Sequence, residues 1–377
     1  MRFVIAPDSY KGSLTSVQVA EIIAEALLEV FPEAEVIKVP IADGGEGTVD
    51  AFLSALGGEK HYLKVTGPLG KPVKAFYGLL PDGTAVVEMA AASGLPLVPV
   101  GKRDPLITTT YGTGELIKAA LDQGCHTIIV GIGGSGTNDG GVGMAQALGI
   151  SFLDAKGEEL PFGGGSLGRL ARIDMSGLDP RIKNTTIIVA CDVDNPLCGP
   201  KGASAVFGPQ KGATPEKVKI LDHNLAHYAR IIKEQLGKDI LNLPGAGAAG
   251  GLGAGLVSLL GATLKPGIDI VISSTKLEEK IKGADMVITG EGRTDYQTAH
   301  GKAPVGIAKV AKRLGVPVIA ISGGLGENYQ AVYEAGLDAV FSIAPGPITL
   351  EQALERGRIY LKAQAVNIAR LLHAWNR

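Results

Sequence analysis

The chain has 377 residues, 54 of them glycine, with a formal net charge of −2 and few aromatic side chains. That length exceeds one average core, so two domains are expected, and abundant glycine suits an α/β enzyme with many tight loops better than a β-sandwich. Balanced charge without a basic excess argues against nucleic acid or an acidic membrane surface as the main partner.

Cys125, Cys191 and Cys198 form no C-x-x-C pair and the six histidines are scattered. A structural zinc site or a disulfide framework is therefore not expected, whereas a reducing, cytoplasmic setting is. A strand pattern opens the chain without a signal peptide, and no apolar run is long enough to span a bilayer.

Residues 2–6 read as a strand ending in P-D-S-Y-K-G-S. The helix that follows carries apolar residues at Val17, Ala20, Ile23, Ala24, Leu27 and Leu28, with Thr15 or Ser16 as its cap. This unit puts Asp8, Ser9 and Lys11 at the carboxyl edge of a sheet, where open α/β folds bind ligands. An ordinary solvated lysine is the plain alternative for Lys11. A second strand at 36–39 leads into A-D-G-G-E-G-T from Ala42 and a helix to about residue 56. Asp43 and Glu46 cannot cradle a bare phosphate, but they can hold a divalent cation or accept a hydroxyl proton. Capping of the next helix is the bland alternative.

Short strands at 61–66, 73–80 and 85–89 suggest an antiparallel meander and entry into a second domain. A helix near 111–121 and an apolar strand at 126–130 then deliver V-G-I-G-G-S-G-T-N-D-G-G at 130–141. Its glycines let the backbone turn tightly against a ligand, and successive N–H groups make an anion-binding concavity. Gly133, Gly134, Ser135, Thr137 and Asn138 are candidate contacts, with phosphate the first choice of anion. The same letters satisfy G-x-G-x-x-G, with Asp154 at the distance of a ribose-binding acid. Against a dinucleotide, N-D-G-G is a poor first helical turn, and the pattern recurs at Gly245, Gly247 and Gly250. A structural turn without ligand is the third choice.

A strand at 185–190 ends in C-D-V-D-N-P-L, where Asp192, Asp194 and Asn195 could hold a hard cation or a hydroxyl, or simply make Asx turns. F-G-P-Q-K-G-A at 207–213 is a loop before a helix at 214–236. Glycine and alanine nearly alternate over 245–255, and periodicity does not choose between hinge, ligand loop and helix start. The closing third alternates strands at 286–289, 318–322 and 339–343 with helices at about 304–314, 328–335 and 349–374. The last helix opens with the capping box Thr349-x-x-Gln352. After strand 286–289, Glu291, Arg293, Asp295 and then Lys302 converge on one strand end, the mixture that phosphoryl transfer needs. Ser322, Gly323 and Gly324 offer another anion cradle.

Strand–helix alternation at both ends predicts an α/β protein of two α/β domains. One is Rossmann/flavodoxin-like with a mostly parallel sheet, residues 1–60 and 271–377, interrupted by an inserted second α/β domain at 61–270. No Walker P-loop, protein-kinase motif set or G-x-S-x-G elbow is present.

Nine motifs carry a resemblance: D-S-Y-K-G-S-L from Asp8, A-D-G-G-E-G-T from Ala42, V-T-G-P-L-G from Val65, T-Y-G-T-G-E-L from Thr110, G-I-G-G-S-G-T-N-D-G-G from Gly131, C-D-V-D-N-P-L from Cys191, F-G-P-Q-K-G-A from Phe207, P-G-A-G-A-A-G-G-L-G from Pro244 and G-E-G-R-T-D from Gly290. In this order, over essentially the whole chain, they resemble the glycerate kinase type-1 family. Tyr10 stands where that family usually has phenylalanine and Gly136 where alanine is expected; neither change removes a charged or hydroxyl group. The resemblance implies an ATP- and Mg²⁺-dependent kinase of D-glycerate, generally giving 2-phosphoglycerate, with the active site in the cleft between the two domains.

Residue chemistry supplies the expected roles. Lys11, Arg293 and Lys302 meet phosphate and substrate-carboxylate charge, and the loops at 131–137 and 323–324 give N–H donors. Asp192, Glu291 and Asp295 are candidates for Mg²⁺ or for the base, with Asp43 and Glu46 next. Asp192 and Arg293 are expected to act on the same transferring phosphoryl group. Asp8, Ser9 and Asn195 complete the polar set. The alternatives are a nicotinamide-dependent oxidoreductase using 131–136 and a small-anion-binding protein. Glycerate and ATP are the expected partners, nucleic acid and membrane are not, and a homodimer stays open.

Overall fold

The computed structural model describes residues 1–41 and 44–375, so the Asp43 candidate lies outside the described residues. The chain divides into two compact units. One is Met1–Asp43 with Asp50–Gly57 and Ile268–Arg377, and the other is Gly44–Val49 with Gly58–Gly267.

The first unit holds a five-stranded parallel sheet in the order Ala339–Ser342, Val318–Ser322, Met286–Thr289, Arg2–Ile5, Glu35–Lys38. Phe3 lies opposite Met286 and Ile5 opposite Ile288, so strand–helix units from both ends of the chain share one sheet. Phe3, Ile5, Ile288, Ile319 and Ile321 pack with the helices Ser16–Val30 and Gly357–Trp375. Val4, Val287 and Ala320 alternate with them and are equally buried. The helix Ala303–Arg313 packs on the Met286–Thr289 and Val318–Ser322 strands. Burial on both faces is why these strands read as unbroken apolar runs.

Helix Ser16–Val30 starts with a full capping box: the Thr15 hydroxyl accepts the Gln18 amide, and the Gln18 side chain accepts the Thr15 amide. Val19, Ile22 and Ala26 join Ile23 and Leu27 in its buried stripe, which leaves Leu28 exposed although periodicity counted it as core. The helix expected over 349–374 is two, Leu350–Glu355 behind the Thr349/Gln352 box and Gly357–Trp375. The second begins at Gly357, where a Cβ would meet Ser13 Oγ and displace that side chain. The helix expected at 328–335 shrinks to Ala331–Glu334, because Asn328 takes a left-handed φ of 52° that a right-handed helix excludes.

The second unit is built on a six-stranded sheet in the order Thr263–Lys265, Thr186–Ala190, Thr127–Gly131, Thr84–Glu88, Pro72–Leu79, Glu59–Thr66. The last three form the expected antiparallel meander. Thr84–Glu88 then takes Thr127–Gly131 as a parallel neighbour, so the meander is the antiparallel half of one mixed sheet. Residues 245–255 resolve as the start of helix Ala248–Leu260, with Ala249, Gly250 and Gly251 at left-handed φ of 54°, 67° and 89°. That kink seats Gly250 against the 137–141 turn. Its carbonyl accepts the Gly140 amide at 3.0 Å, and a Cβ on it would overlap the Thr137 carbonyl. No helix among the described residues is long and apolar enough to cross a membrane.

The capping box gives a direct test of local stability. Thr15→Ala should lower the unfolding free energy by about 1 kcal/mol in chemical denaturation, since the Gln18 amide loses its acceptor. An unchanged denaturation midpoint would show that tertiary packing alone holds this helix end.

Candidate functional site

Because the first unit's strands are all parallel, residues 6–14, 290–302 and 322–326 leave from one edge of the sheet. Hydrogen bonding continues past the strands: the Asp8 amide donates to the Gly290 carbonyl at 2.8 Å, and the Gly323 amide to the Glu291 carbonyl at 3.0 Å. Arg293–Thr294 pairs with Gly324–Leu325. Such close stacking needs glycine. A Cβ at Gly290 would overlap the Ile321 carbonyl, and one at Gly323 the Gly292 carbonyl. The buried Tyr10 hydroxyl donates to the Ile321 carbonyl at 2.6 Å and ties the 8–11 loop to this stack.

Glu291 is only 7 % exposed. Its Oε1 accepts the Thr298 hydroxyl at 2.6 Å and the Thr294 hydroxyl at 3.0 Å. Thr294 has spent its proton there, so the Ser322 hydroxyl, 2.7 Å away, donates to Thr294. Oε2 instead faces Lys302 Nζ at 3.9 Å, which is also 4.0 Å from Asp295 Oδ1. Arg293 Nε lies 3.9 Å from Asp295 Oδ2. These separations give charge attraction without a formed hydrogen bond. Burial pushes the Glu291 carboxyl above its usual range, and Thr298, Lys302 and Thr294 pull it partly back. A half-satisfied carboxyl of raised proton affinity is suited to proton transfer. The structure thus gathers Glu291, Arg293, Asp295, Lys302, Gly323 and Gly324. Asp8, Ser9 and Lys11 sit on the adjoining loop, where Asp8 Oδ1 accepts the Ser9 amide at 2.6 Å and the Lys11 amide approaches Gly292.

In the second unit the turn after Thr127–Gly131 is tied from several directions. The Gly133 amide donates to the Gly44 carbonyl, and the Gly134 carbonyl accepts the Leu95 amide, each at 2.9 Å. The Gly136 carbonyl accepts the Thr108 hydroxyl at 2.9 Å, and the Thr137 carbonyl accepts Lys211 Nζ at 2.6 Å. Asp139 is wholly enclosed. Its Oδ2 accepts the Thr110 amide and hydroxyl at 2.8 and 2.9 Å and the Gly143 amide at 3.3 Å, while Oδ1 accepts the Gly141 amide at 3.2 Å. Burial drives its carboxyl upward and those donors oppose the shift.

Only the tip of this turn meets solvent: Gly134 is exposed, and Gly133 and Ser135 are half-buried. Thr137 and Asn138, expected at the ligand, are instead fully buried in the turn's interior, with Asn138 Nδ2 donating to Ser204 Oγ at 3.1 Å. Asn195 likewise turns to its own loop, donating to the Lys201 carbonyl at 2.8 Å. Asp192 is exposed, and its Oδ1 accepts the Gly267 amide at 2.7 Å. Asp154, weighed as a ribose acid, caps a hairpin turn by accepting the Lys156 and Glu158 amides at 2.8 and 3.1 Å.

Among the described residues no group of three or more His, Cys, Asp or Glu could hold a metal. Asp192 and Glu46 are exposed carboxylates, and Mg²⁺ commonly takes one or two such ligands and completes its shell with water and phosphate oxygens. These residues fit that demand. Sequence reasoning gave no role to Thr294, Thr298 or Lys211, whose partners come from tertiary folding or irregular spacing, and it read Ser322 as part of an anion cradle where its hydroxyl instead meets Thr294.

The raised Glu291 carboxyl sets a pH test. Between the ordinary glutamate range and its folded pKa, the folded state holds a proton that the unfolded state has released. Stability from this residue therefore falls as pH rises through that window. Glu291→Gln should gain thermal stability relative to the parent between pH 4 and pH 8. A constant difference in melting temperature would contradict the assignment.

The sequence pattern of the glycerate kinase family matches residues 3–373. A Halalkalibacterium halodurans protein named glycerate kinase is 55 % identical over 375 residues, 99 % of this chain and 98 % of that one. An Escherichia coli K12 protein named glycerate 2-kinase is 54 % identical over 373 residues, again 99 % and 98 %. A Salmonella typhimurium LT2 crystal structure, provisionally designated glycerate kinase 2, superimposes with a TM-score of 0.90 at 53 % identity, covering 100 % of this chain and 99 % of its own. Sequence and fold agree from end to end, and the chain belongs to the glycerate kinase family.

Proposed function

We propose that this chain transfers the γ-phosphoryl group of ATP to a hydroxyl of D-glycerate and forms 2-phosphoglycerate. The observation that carries this reading is the whole-length identity of 54 % to a relative named glycerate 2-kinase. The site chemistry supports it. A kinase must align a hydroxyl with the phosphoryl group, take the hydroxyl proton and neutralise charge on the transferred oxygens.

Glu291 is the base in this scheme. The threonine hydroxyls occupy Oε1, so the proton is taken on Oε2. Its raised proton affinity suits it to hold that proton as the hydroxyl oxygen attacks. Lys302 and Arg293 supply positive charge, and the planar fork of Arg293 matches a carboxylate or a phosphoryl group. The Gly133, Gly323 and Gly324 amides already donate to the Gly44, Glu291 and Gly292 carbonyls, so the Gly134 and Ser135 amides are the backbone donors offered to anionic oxygens. Asp192, with Glu46 second, would hold Mg²⁺, which when bound neutralises charge across the phosphates. We place the activity in the cytoplasm, in keeping with the free thiols of Cys125, Cys191 and Cys198.

Phosphorus NMR of a reaction with ATP, Mg²⁺ and glycerate should show ADP and 2-phosphoglycerate. A 3-phospho product would overturn the regiochemistry, and intact ATP the activity. Glu291→Gln should lower kcat on the order of 10²- to 10⁴-fold, with Arg293→Lys retaining partial activity. If folded Glu291→Gln turns over normally, Glu291 is not the base, and Asp192 takes that place if Asp192→Asn loses kcat with its Mg²⁺ requirement unchanged.

A further inference from the structure

Lys211 ends the short 3₁₀ turn Pro209–Lys211 and is 1 % exposed, a rare position for a lysine. Its ammonium group runs inward to the 137–141 turn and donates to the Thr137 carbonyl at 2.6 Å. Asp139 acts on it electrostatically, and burial pushes its pKa down to about 7. Tyr228 is the other titratable group buried against this turn, its ring close to Gly140. Two further buried side-chain oxygens, Thr137 Oγ1 and Asn138 Oδ1, have no hydrogen-bond partner among the described residues. The interior behind the turn is thus polar and incompletely satisfied, which a structure serving stability alone would avoid.

We propose that Lys211 is a positioning residue that grips the Thr137 carbonyl from inside and so sets the shape of the 133–135 tip toward an anionic substrate oxygen. This rests on the reading of that tip as a ligand contact. The Thr137 carbonyl lies between the ties at Gly136 and Gly140, so releasing it loosens the stretch of turn that leads to the tip. The charged ammonium holds a carbonyl more firmly than a neutral amine does, so the grip loosens as pH rises through the neutral range. Between that range and ordinary lysine pKa values the unfolded chain keeps a proton that the folded one has lost. The parent's stability relative to a variant without the amine therefore rises across this interval.

Lys211→Met keeps the length and removes the donor. It should raise KM for ATP or glycerate about tenfold or more at nearly constant kcat, since a contact made equally in ground and transition states acts on binding. Its KM should be nearly flat with pH, whereas the parent's rises through neutrality. Gly134→Ala, at a φ of 72° on the exposed tip, reports on the tip itself. Raised KM in both variants, with Lys211→Met melting no lower than the parent at pH 7, supports the proposal. Normal kinetics in folded Lys211→Met beside an impaired Gly134→Ala overturns it. Normal kinetics in both, with an active parent, removes the tip from the site and the proposal with it. If Lys211→Met does not fold, the pH dependence of the parent's KM decides: a rise through neutrality supports the proposal, and a flat profile overturns it.

Discussion

The second unit depends on one enclosed carboxylate. Asp139 is almost without exposure, a placement that costs several kcal/mol for an ion left unsatisfied. Four donors make it tolerable, and their origins show what it organises. The Thr110 amide and hydroxyl come from the start of helix Tyr111–Asp122, and the Gly141 and Gly143 amides from the start of helix Val142–Ala147. One side chain therefore locks a turn to the beginnings of two helices. The left-handed kink at Gly250 and the ammonium of Lys211 close the same turn from further sides.

Glu291 in the first unit makes the contrast. It too is a buried carboxylate, yet only one oxygen is bonded, by Thr294 and Thr298, and the other is left toward Lys302 at 3.9 Å. Asp139, bonded at both oxygens, has little left to offer a reaction. Glu291 retains a lone pair of raised proton affinity at a glycine-lined strand end. In the proposed scheme the same functional group serves architecture in one place and chemistry in the other, and the count of donors separates the two.

Much of this was readable in the chain. Strands buried on both faces announce themselves as apolar runs, and the boxes at Thr15 and Thr349 are local signals within four residues. The Glu291, Arg293, Asp295 and Lys302 grouping was legible because all four follow one strand. Depth was not legible. Thr137 and Asn138 look the same in sequence as Ser135, and only the fold shows that the turn swallows them. Lys211 shows in sequence only as part of a loop, because the carbonyl it grips lies 74 residues earlier. The start of the last helix at Gly357 answers to Ser13, at the opposite end of the chain.

The most direct measurement is a crystal structure with a non-hydrolysable ATP analogue and glycerate bound. A glycerate hydroxyl should lie on Glu291 Oε2, with anionic ligand oxygens within hydrogen-bonding distance of Lys302. Ligands seated elsewhere, with Glu291 Oε2 in solvent, would contradict the account.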